Sequence, residues 1–404
     1  MSKTKLYALI VALITAHSLC AQSYSTSPIE KDFADTLSIE IYNNWIILPV
    51  AINGKEHRFI FDTGCSASMV SNNLISEEWD VVRRDTVNDA NNVRKEVSYV
   101  SFCGLSIGKL HFPCYPVIPH SFEGTPFECP QIDGLIGGDI LQNMYVKIDI
   151  QNKQLILTDR KKWFKKEKGA NAPMKIRGNC PFITLRIGRI RVQDVMFDSG
   201  NTGFYSLSEN IFSQLKAFKP EWWKGEIIDT AKGATSFGLF GFAKEETISL
   251  VKLPEWKLNG IPFENVYTKT SVSSHCNLGA ELLSYGQVIL NYPEKRFTFL
   301  PYNQVKSVIK TATVRPINIG FEDGHIVISL IFESSGYYQQ GLRRGDRIIE
   351  INNREINDDF CILTEVLTEE IKQIKVIDKK GNEKEFHSPD PSIKKTFILS
   401  SMLR

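Results

Sequence analysis

The chain has 404 residues, of which 42% are hydrophobic and 23% charged, and a chain of this length is expected to form two to three globular domains. Its 48 basic and 46 acidic residues leave a formal net charge of +2, which gives no reason to expect nucleic acid or an anionic surface as a partner. Beyond the N-terminus, no stretch reaches the roughly 18 consecutive apolar residues of a membrane-spanning helix, so we expect no transmembrane segment in the mature chain.

Residues 1–21 have the pattern of a secretory signal peptide. Two lysines precede an apolar stretch from Leu6 to Thr15, and Ala21 is the small residue expected at the cleavage point. The apolar stretch is too short to span a bilayer as a retained helix. A polar tether would follow at 22–36. The sequence therefore predicts export, with a periplasmic, envelope-associated or secreted protein of bacterial type as the result.

Short β-rich runs separated by turn residues make up a first unit, expected at 37–160. One of its strands, 58–61, runs directly into Asp62. A helix is expected at 71–78, and a hairpin closes the unit. A charged linker at 161–173 then leads onward, since a run of charges is usually a solvated segment.

The second unit, 174–302, repeats this layout. A strand pair that turns at Gly188 returns through 190–197 and ends in Asp198, and a hairpin at 287–300 closes the unit. Mostly β units of this size, with glycine and asparagine at their turns, fit a small closed barrel or an orthogonal pair of sheets.

A third unit is expected at 312–389, where the composition of the chain changes. We expect a strand at 325–329, a strand at 347–351 and a helix at 358–369. A hairpin over 374–386 would complete a small α+β unit.

A triplet of aspartate, a hydroxyl residue and glycine ends an apolar run in each of the first two units. The copies are Asp62-Thr63-Gly64 and Asp198-Ser199-Gly200. One such triplet is common by chance, but a second pattern repeats downstream of both copies. Ile136-Gly137 begins 74 residues after Asp62, and Leu278-Gly279 begins 80 residues after Asp198. The two halves thus share one layout, and each contributes one carboxylate.

Two facing carboxyls suit the hydrolysis of an amide by direct attack of water. One carboxylate takes a proton from water while the other, protonated, donates to the carbonyl oxygen; two carboxyls in contact share one proton because both cannot ionise cheaply. Gly64 and Gly200 would let the two backbones approach closely. Thr63 and Ser199 offer hydroxyls that could bond from one loop to the other.

On these motifs the chain resembles the aspartic proteases of the retropepsin and pepsin type. The resemblance implies two retropepsin-like β-barrel lobes that form a pseudo-dimer within one chain, with Asp62 and Asp198 as the catalytic pair. Thr63, Gly64, Ser199 and Gly200 would support that pair. The family closes β-hairpin flaps over its substrate, and the corresponding segments here would lie at 88–93 and 232–241. The resemblance also implies that no metal or organic cofactor is needed and that the substrate is a protein or peptide.

The chain departs from the pepsin pattern in the two residues after each triplet. Cys65-Ser66 and Asn201-Thr202 stand where the family has hydroxyl-rich pairs that steady the outer carboxylate oxygens. Ser66 could move into that role, and Asn201 could donate through its amide. An altered pH optimum is therefore expected.

The third unit resembles a PDZ domain. The run 341–353 matches the Gly-Leu-x-x-Gly-Asp core of that family, and residues 318–321 match its x-Φ-Gly-Φ loop. By this resemblance the backbone of Asn318, Ile319, Gly320 and Phe321 would bind the C-terminal carboxylate of a peptide, which would add a strand to the sheet edge. The unit could equally serve as an intramolecular brace.

Seven cysteines remain after removal of the predicted signal peptide, so at least one thiol is free or bonded to another molecule. Export permits disulfides, and Cys114 with Cys129 is the first pair to expect. Cys65 could act as a nucleophile, but a packed or disulfide-bonded thiol is the simpler interpretation. No cysteine or histidine spacing indicates a metal site, and no cofactor is predicted.

Three hypotheses follow. The first is an exported aspartic endopeptidase whose PDZ domain recruits or positions protein substrate. The second is a peptide-binding or scaffold protein with a degenerate protease fold, favoured by the departures at Cys65 and Asn201. The third is that two chains pair through their first units, which would require Asp62 and Asp198 of one chain to lie apart. For either aspartate alone, a cap on a tight turn would be the simpler role.

Overall fold

The computed structural model describes residues 25–75, 79–218, 226–234, 236–302, 309–310, 316–367, 369 and 371–388. The predicted signal peptide at 1–21 lies outside the described residues. The chain is mainly β, and two of its sheets share one strand order, as the repeated sequence layout predicts.

Three groups of elements follow one another along the chain. Lobe 1 contains β1 (Ala34–Ser38), β2 (Glu40–Tyr42), β3 (Trp45–Ile52), β4 (Lys55–Phe61), β5 (Met69–Ser71), β6 (Val81–Asn88), β7 (Arg94–Phe102), β8 (Leu105–Ile107), β9 (Leu110–His111), β10 (Tyr115–His120), β11 (Gly134–Ile136), β12 (Tyr145–Asp149) and β13 (Gln154–Thr158), with 3-10 helices at Asn72–Leu74 and Gly138–Leu141. Lobe 2 contains β14 (Ala170–Pro173), β15 (Lys175–Arg177), β16 (Cys180–Ile187), β17 (Ile190–Asp198), β18 (Tyr205–Ser208), α1 (Glu209–Phe218), β19 (Glu226–Gly233), β20 (Phe237–Gly238), β21 (Gly241–Phe242), β22 (Glu246–Lys252), β23 (Trp256–Leu258), β24 (Ile261–Glu264), β25 (Tyr267–Ser271), β26 (Asn277–Gly279), a 3-10 helix at Ala280–Ser284, β27 (Gly286–Asn291) and β28 (Arg296–Pro301). After β29 (Ile309–Lys310), the C-terminal unit contains β30 (Ile317–Glu322), β31 (His325–Ile331), α2 (Gly336–Gln340), β32 (Arg347–Ile351), β33 (Arg354–Glu355), α3 (Phe360–Val366), β34 (Gln373–Ile377) and β35 (Glu383–His387).

The large sheets of the two lobes correspond strand by strand. In lobe 1 the order is β6-β7-β10-β5-β11-β4-β3-β8-β9 with β2 beside β3. In lobe 2 it is β19-β22-β25-β18-β26-β17-β16-β23-β24 with β15 beside β16, and β29 (Ile309–Lys310) adds one further strand beside β24. In both, the strand that ends at the Asp-hydroxyl-Gly triplet lies in the middle of its sheet. Its last residues therefore face apolar neighbours on both sides, and Phe59, Ile60 and Phe61 are each at most 1% exposed.

A third sheet joins the lobes through their closing hairpins. Its order is β1-β13-β12-β27-β28-β14, and the pairing of Val146 in β12 with Leu290 in β27 crosses from one lobe to the other. This sheet corrects two sequence expectations. The strand β1 begins inside the predicted tether, and β14 lies inside the predicted charged linker, because the outer edges of the shared sheet each take up one more strand.

The C-terminal unit has the sheet order β30-β31-β32-β34-β35, with β33 beside β32. The strands β31 and β32, the helix α3 and the β34–β35 hairpin lie where the sequence predicts them, whereas β30, β33 and α2 are not among its predictions. A cluster of buried apolar residues continues from its core into the residues of lobe 1 that surround Trp45 and Ile60. The unit therefore packs against lobe 1.

Two local expectations are wrong. The helix expected at 71–78 is, in its described part, a short 3-10 turn at Asn72–Leu74, where Ser71 ends β5 and accepts a hydrogen bond from the Asn73 N–H. Its counterpart in lobe 2 is a full helix, α1, which buries Phe212 completely. A hydroxyl residue before each segment gives a start signal, but only α1 has an apolar residue in each turn to pack.

The disulfide expected between Cys114 and Cys129 is not formed. Cys103 bonds to Cys114, and Cys129 bonds to Cys361 in α3 of the C-terminal unit, 232 residues away in the chain. Sequence spacing cannot reveal the second bond because the C-terminal unit returns to lobe 1 only through the tertiary fold. The described free cysteines are Cys65, Cys180 and Cys276.

Candidate active site

Asp62 and Asp198 lie at equivalent points of the two lobes. The strand that leads to each aspartate pairs in parallel with a three-residue strand, β11 beside β4 and β26 beside β17. In lobe 1 the Asp62 N–H donates to the Ile136 carbonyl at 2.9 Å. The two repeated sequence motifs thus form one structure in each lobe, and the parallel strands fix where each carboxyl emerges.

The two carboxyl groups are in contact. A side-chain hydrogen bond joins Asp62 and Asp198, so the separation that the two-chain hypothesis requires is not found. A Cβ added to Gly64 would lie 2.4 Å from Cγ of Asp198, and one added to Gly200 would lie 2.4 Å from Cγ of Asp62. Each glycine therefore abuts the carboxyl of the opposite lobe, and any side chain there would push the pair apart.

Crossed hydrogen bonds lock the two loops together beneath the carboxyls. The Thr63 hydroxyl accepts from the Ser199 N–H at 3.0 Å and donates to the Phe197 carbonyl at 2.8 Å. In return, the Ser199 hydroxyl accepts from the Thr63 N–H at 3.0 Å and donates to the Phe61 carbonyl at 2.7 Å. Thr63 and Ser199 are fully buried, so every donor and acceptor in this arrangement depends on the opposite lobe.

The inner carboxyl oxygens have matching environments. Oδ1 of Asp62 accepts from the backbone N–H groups of residues 64 and 65 at 2.8 and 3.1 Å, and Oδ1 of Asp198 accepts from residues 200 and 201 at 3.0 and 3.1 Å. Burial, followed by the charge of Asp198, raises the pKa of Asp62 to about 8 despite these backbone donors. The pair is therefore suited to holding one proton across a wide pH range.

The residues that follow the two triplets do not take the roles expected from the sequence. The Asn201 amide oxygen accepts from the Gly203 N–H at 3.0 Å. None of the described hydrogen bonds joins the NH₂ group of Asn201 to Asp198. Ser66 is exposed, and its hydroxyl makes no described hydrogen bond to Asp62. Instead, Nδ2 of Asn277 lies 3.4 Å from Oδ2 of Asp198. Sequence reasoning missed Asn277, although it stands directly before the Leu278-Gly279 motif.

Two free thiols lie beside the carboxyl pair. The Cys65 thiol donates to the Ala67 carbonyl at 2.9 Å, and the Cys180 thiol donates to the Gly64 carbonyl at 3.2 Å. Burial, together with the charge of Asp62, raises the pKa of both thiols. Both thiols are therefore neutral and donate hydrogen bonds to backbone carbonyls. A nucleophilic role for Cys65 has no support in this geometry, because the nucleophile would be the thiolate.

A cavity of about 340 Å³ opens above the carboxyls. Its walls are mostly apolar: Trp45, Ile60, Met69, Ile118, Phe122, Phe127 and Leu135 come from lobe 1, and Phe182, Met196, Phe237 and Leu239 come from lobe 2. Burial lowers the pKa of His120 and His275, which also line it, so both imidazoles are neutral near pH 7. Apolar side chains of a bound molecule would find complementary surface here.

Two hairpin tips close the cavity, in the segments that the sequence resemblance assigns to flaps. Residues 87–90, at the end of β6 and in the turn after it, and residues 237–239, in β20 and just after it, line the cavity together with the two aspartates. The tips bond to each other, because Asn91 donates to the Gly241 carbonyl at 2.9 Å and accepts from the Ser236 hydroxyl at 2.6 Å. The two tips are therefore joined to each other beside the cavity.

The C-terminal unit touches both sides of this cleft. On the lobe 2 side, the Ser334 N–H donates to Asp229 of β19 at 2.7 Å, and the Ser329 hydroxyl donates to the Ala234 carbonyl at 3.0 Å. On the lobe 1 side, the Cys129–Cys361 disulfide holds α3 two residues from the cavity-lining Phe127. The unit thus contacts the second flap and is covalently tied to the opposite wall.

The residues expected to bind a peptide terminus lie in the edge strand β30 and not in a loop. Asn318, Ile319, Gly320 and Phe321 pair with β31 on one side. Asn318 is 1% exposed, and its amide oxygen accepts a hydrogen bond from the Lys269 ammonium of lobe 2. Phe321 packs against Phe360 of α3, with ring centroids 5.2 Å apart. The residues of β30 from Ile317 to Gly320 are thus buried, and β30 forms one edge of its sheet.

The described ranges contain neither a metal-binding cluster nor a membrane-spanning helix. No group of three or more histidine, cysteine, aspartate or glutamate side chains among these residues is arranged to hold a metal ion. No helix in the described part of the chain has the length and apolar character needed to cross a membrane.

Comparison with known proteins identifies part of lobe 1. Residues 48–140, which include Asp62 and Ile136-Gly137, match the family described as aspartyl protease. Among solved structures, conglutin gamma, a basic 7S globulin from lupine seeds, is similar at 10% sequence identity with a TM-score of 0.39; the match covers 68% of this chain and 96% of that chain. A search of curated protein sequences returns no match.

Proposed function

We propose that the chain is an exported aspartic-type endopeptidase that hydrolyses peptide bonds with water activated between Asp62 and Asp198. One observation carries the proposal: the two carboxyls touch at the base of a closable, largely apolar cavity. The aspartyl protease match over 48–140 supports it. The protease part would consist of two lobes at 37–160 and 174–302 that form a pseudo-dimer within one chain.

The proposed reaction uses the single proton that the pair shares. The ionised carboxylate takes a proton from water, whose oxygen attacks the peptide carbonyl carbon, while the protonated carboxyl donates to the carbonyl oxygen. The resulting tetrahedral intermediate collapses when its nitrogen receives a proton from the pair and the C–N bond breaks. One hydroxyl of the intermediate returns its proton to the pair as the product carboxyl forms, so the pair again holds one proton. A raised pKa for Asp62 keeps one member protonated near neutral pH, as this cycle requires.

A non-covalent inhibitor of the transition state gives the direct test. A peptide analogue with a hydroxyl in place of the scissile carbonyl should bind between Asp62 and Asp198 and stop cleavage of an unfolded-protein mixture by the purified full chain. Cleavage should instead survive a thiol-alkylating reagent, since the thiols of Cys65 and Cys180 are neutral. A protein that neither cleaves the mixture nor binds the analogue is not an aspartic protease.

The alternative is a peptide-binding or scaffold protein with a degenerate protease fold. The observation that favours it is that the residues after the triplets do not take the expected role: the Asn201 amide oxygen accepts from the Gly203 N–H, and Ser66 is exposed, with no described hydrogen bond from its hydroxyl to Asp62. A scaffold would bind unfolded protein without shortening it. Sensitivity of cleavage to the hydroxyl analogue would exclude this alternative.

The C-terminal unit, 312–389, is proposed to be a PDZ domain that positions protein substrate beside the cleft. Its edge strand β30 could accept a further strand from a peptide, and its contacts with Asp229 and Ala234 place it against the second flap. Of the segment 318–321, the backbone of Ile319, Gly320 and Phe321 would receive the peptide carboxylate.

Matched substrates test this role. Two peptides of one sequence, with a free or an amidated C-terminus placed well beyond the cleaved bond, should differ in KM and not in kcat, since the remote contact binds ground state and transition state alike. We expect a lower KM for the free carboxylate. Equal KM values would identify the unit as a brace between the lobes.

Export is proposed on the basis of the N-terminal pattern, and two disulfides in the described structure support it. Bonds such as Cys103–Cys114 and Cys129–Cys361 persist in oxidising compartments and are rare in the cytosol. The mature protein would begin at Gln22 and be periplasmic, envelope-associated or secreted. N-terminal sequencing of the protein recovered from a secreting host tests this, and a retained Met1 would contradict it.

A further inference from the structure

The twofold symmetry of the carboxyl pair is broken at the residue that precedes the repeated Ile/Leu-Gly motif. Leu135 pairs with Ile60, two residues before Asp62, and Asn277 pairs with Met196, two residues before Asp198. Leu135 and Asn277 are thus equivalent, and both line the cavity. Lobe 1 has an apolar side chain at this point, whereas lobe 2 has an amide of similar size.

Asn277 is 4% exposed, and its two polar atoms have different surroundings. Nδ2 can donate to Oδ2 of Asp198 across 3.4 Å. Oδ1 is buried without a hydrogen-bond partner among the described residues. A buried carbonyl oxygen without a donor destabilises the fold relative to leucine, so packing does not account for an amide here.

The two aspartates consequently differ in their outer oxygens. The described donors to Asp62 are the backbone N–H groups of residues 64 and 65, together with the shared proton of the pair. Asp198 has the equivalent backbone donors and, in addition, the Asn277 amide. An N–H donor stabilises a carboxylate more than a protonated carboxyl, so this one contact favours negative charge on Asp198.

We propose that Asn277 is a positioning residue that holds the negative charge of the pair on Asp198 and leaves the shared proton on Asp62. This inference rests on the proposed function. It assigns the two roles at the start of each turnover: Asp198 accepts the proton of water, and Asp62 donates to the carbonyl oxygen of the substrate. The raised pKa of Asp62 agrees with this assignment.

Other titratable groups face the pair but do not explain the asymmetry. Burial raises the pKa of Cys65, Cys180 and Tyr292 and lowers that of His120 and His275, so all five are neutral near pH 7. Three further ionisable groups lie near the pair: Asp139, whose pKa burial raises to about 6, and the side chains of Arg177 and Asp89, which line the cavity. Variants at residue 277 leave all three in place, so a change in titration reports the amide.

The test is the exchange Asn277→Leu, which gives lobe 2 the residue of lobe 1. Loss of the donor should move the acid limb of the kcat/KM profile to higher pH by about one unit and lower kcat about tenfold, with little change in KM. The reciprocal variant Leu135→Asn, combined with Asn277→Leu, should restore the acid limb because the charge would then rest on Asp62. Asn277→Ser retains a hydrogen-bond donor, so the pH of its acid limb should lie between those of the wild type and Asn277→Leu. This variant replaces Asn277→Leu in the test if the leucine variant does not fold.

A control and a second readout separate this proposal from the proposed function. Ser206→Ala alters a buried residue that pairs with Asn277 across β18 and β26 and should leave the profile unchanged. ¹³C NMR of labelled aspartate carboxyls follows the titration of the pair without any need for catalysis. The pair titrates with two pKa values. If the lower of these two values is the same in Asn277→Leu as in the wild type, the positioning role is overturned, whatever the melting temperature of the variant. Lack of cleavage by the wild type would instead count against the proposed function.

Discussion

Asp62→Asn is expected to lower kcat/KM for peptide cleavage by about 10³-fold or more while the fold is retained. An amide occupies the same space as the carboxyl, but it can neither hold the shared proton nor pass it to the carbonyl oxygen. The measurement is cleavage of a fluorogenic peptide by purified protein. Asp323→Asn is the matched control, since Asp323 lies in the β30–β31 turn with φ of 50°, a conformation that asparagine also adopts readily.

The same variant has an expected effect on stability that depends on pH. Burial raises the pKa of Asp62 to about 8 from an ordinary value of 3.8, so the folded protein binds this proton more tightly than the unfolded chain does. The resulting stabilisation is fully present below about pH 4 and is lost as pH rises through about 8. Asp62→Asn removes this pH-dependent loss of stability because an amide does not ionise. Its melting temperature should therefore rise relative to that of the wild type between these pH values.

The outcomes of the two measurements are independent. Full activity in Asp62→Asn would remove the proposed mechanism, whatever the melting temperatures show. A difference in melting temperature that stays constant from pH 4 to 8 would instead mean that the Asp62 carboxyl is hydrated in solution and that the pair is not enclosed as the structure describes. Both results together would favour the hypothesis that the chain is a peptide-binding or scaffold protein.

The contact between Asp62 and Asp198 follows from patterns that a sequence can carry. A triplet at the end of an apolar run predicts a strand followed by a tight turn, and its repetition with a second motif at nearly constant distance predicts two equivalent halves. Local order suffices for these inferences, because the strands 58–61 and 190–197 continue directly into their aspartates. Their meeting requires only that equivalent halves pack about a common axis.

Features that depend on partners distant in the chain were not predicted correctly. Cys129 pairs with Cys361 and not with the nearer Cys114, and β1 and β14 join a sheet whose other strands come from both lobes. Asn277 illustrates a subtler limit. Its position before Leu278-Gly279 is visible in the sequence, but its amide gains a role only when β26 lies beside β17 and brings it to Asp198.

Gly64→Ala is expected to lower kcat/KM by about 10²-fold or more, because a displacement of the reacting groups by about 1 Å is enough for such a loss. The added Cβ would lie 2.4 Å from both Cγ and Oδ1 of Asp198 and 2.8 Å from Oδ2. The Asp198 carboxyl would therefore have to move, and with it the hydrogen bond that joins it to Asp62. Overpacking of this kind should also lower the free energy of unfolding by about 1–3 kcal/mol.

A second glycine provides the matched control. Gly381 has φ of 84° and no atom within 4 Å of an added Cβ, so Gly381→Ala introduces the same methyl group with backbone strain alone. It should cost about 1–2 kcal/mol of unfolding free energy and leave kcat/KM unchanged. The two variants can thus be similar in stability and still differ in activity. Native activity in Gly64→Ala would show that the carboxyls of the working protein stand farther apart than in this structure, and the shared proton would lose its physical basis.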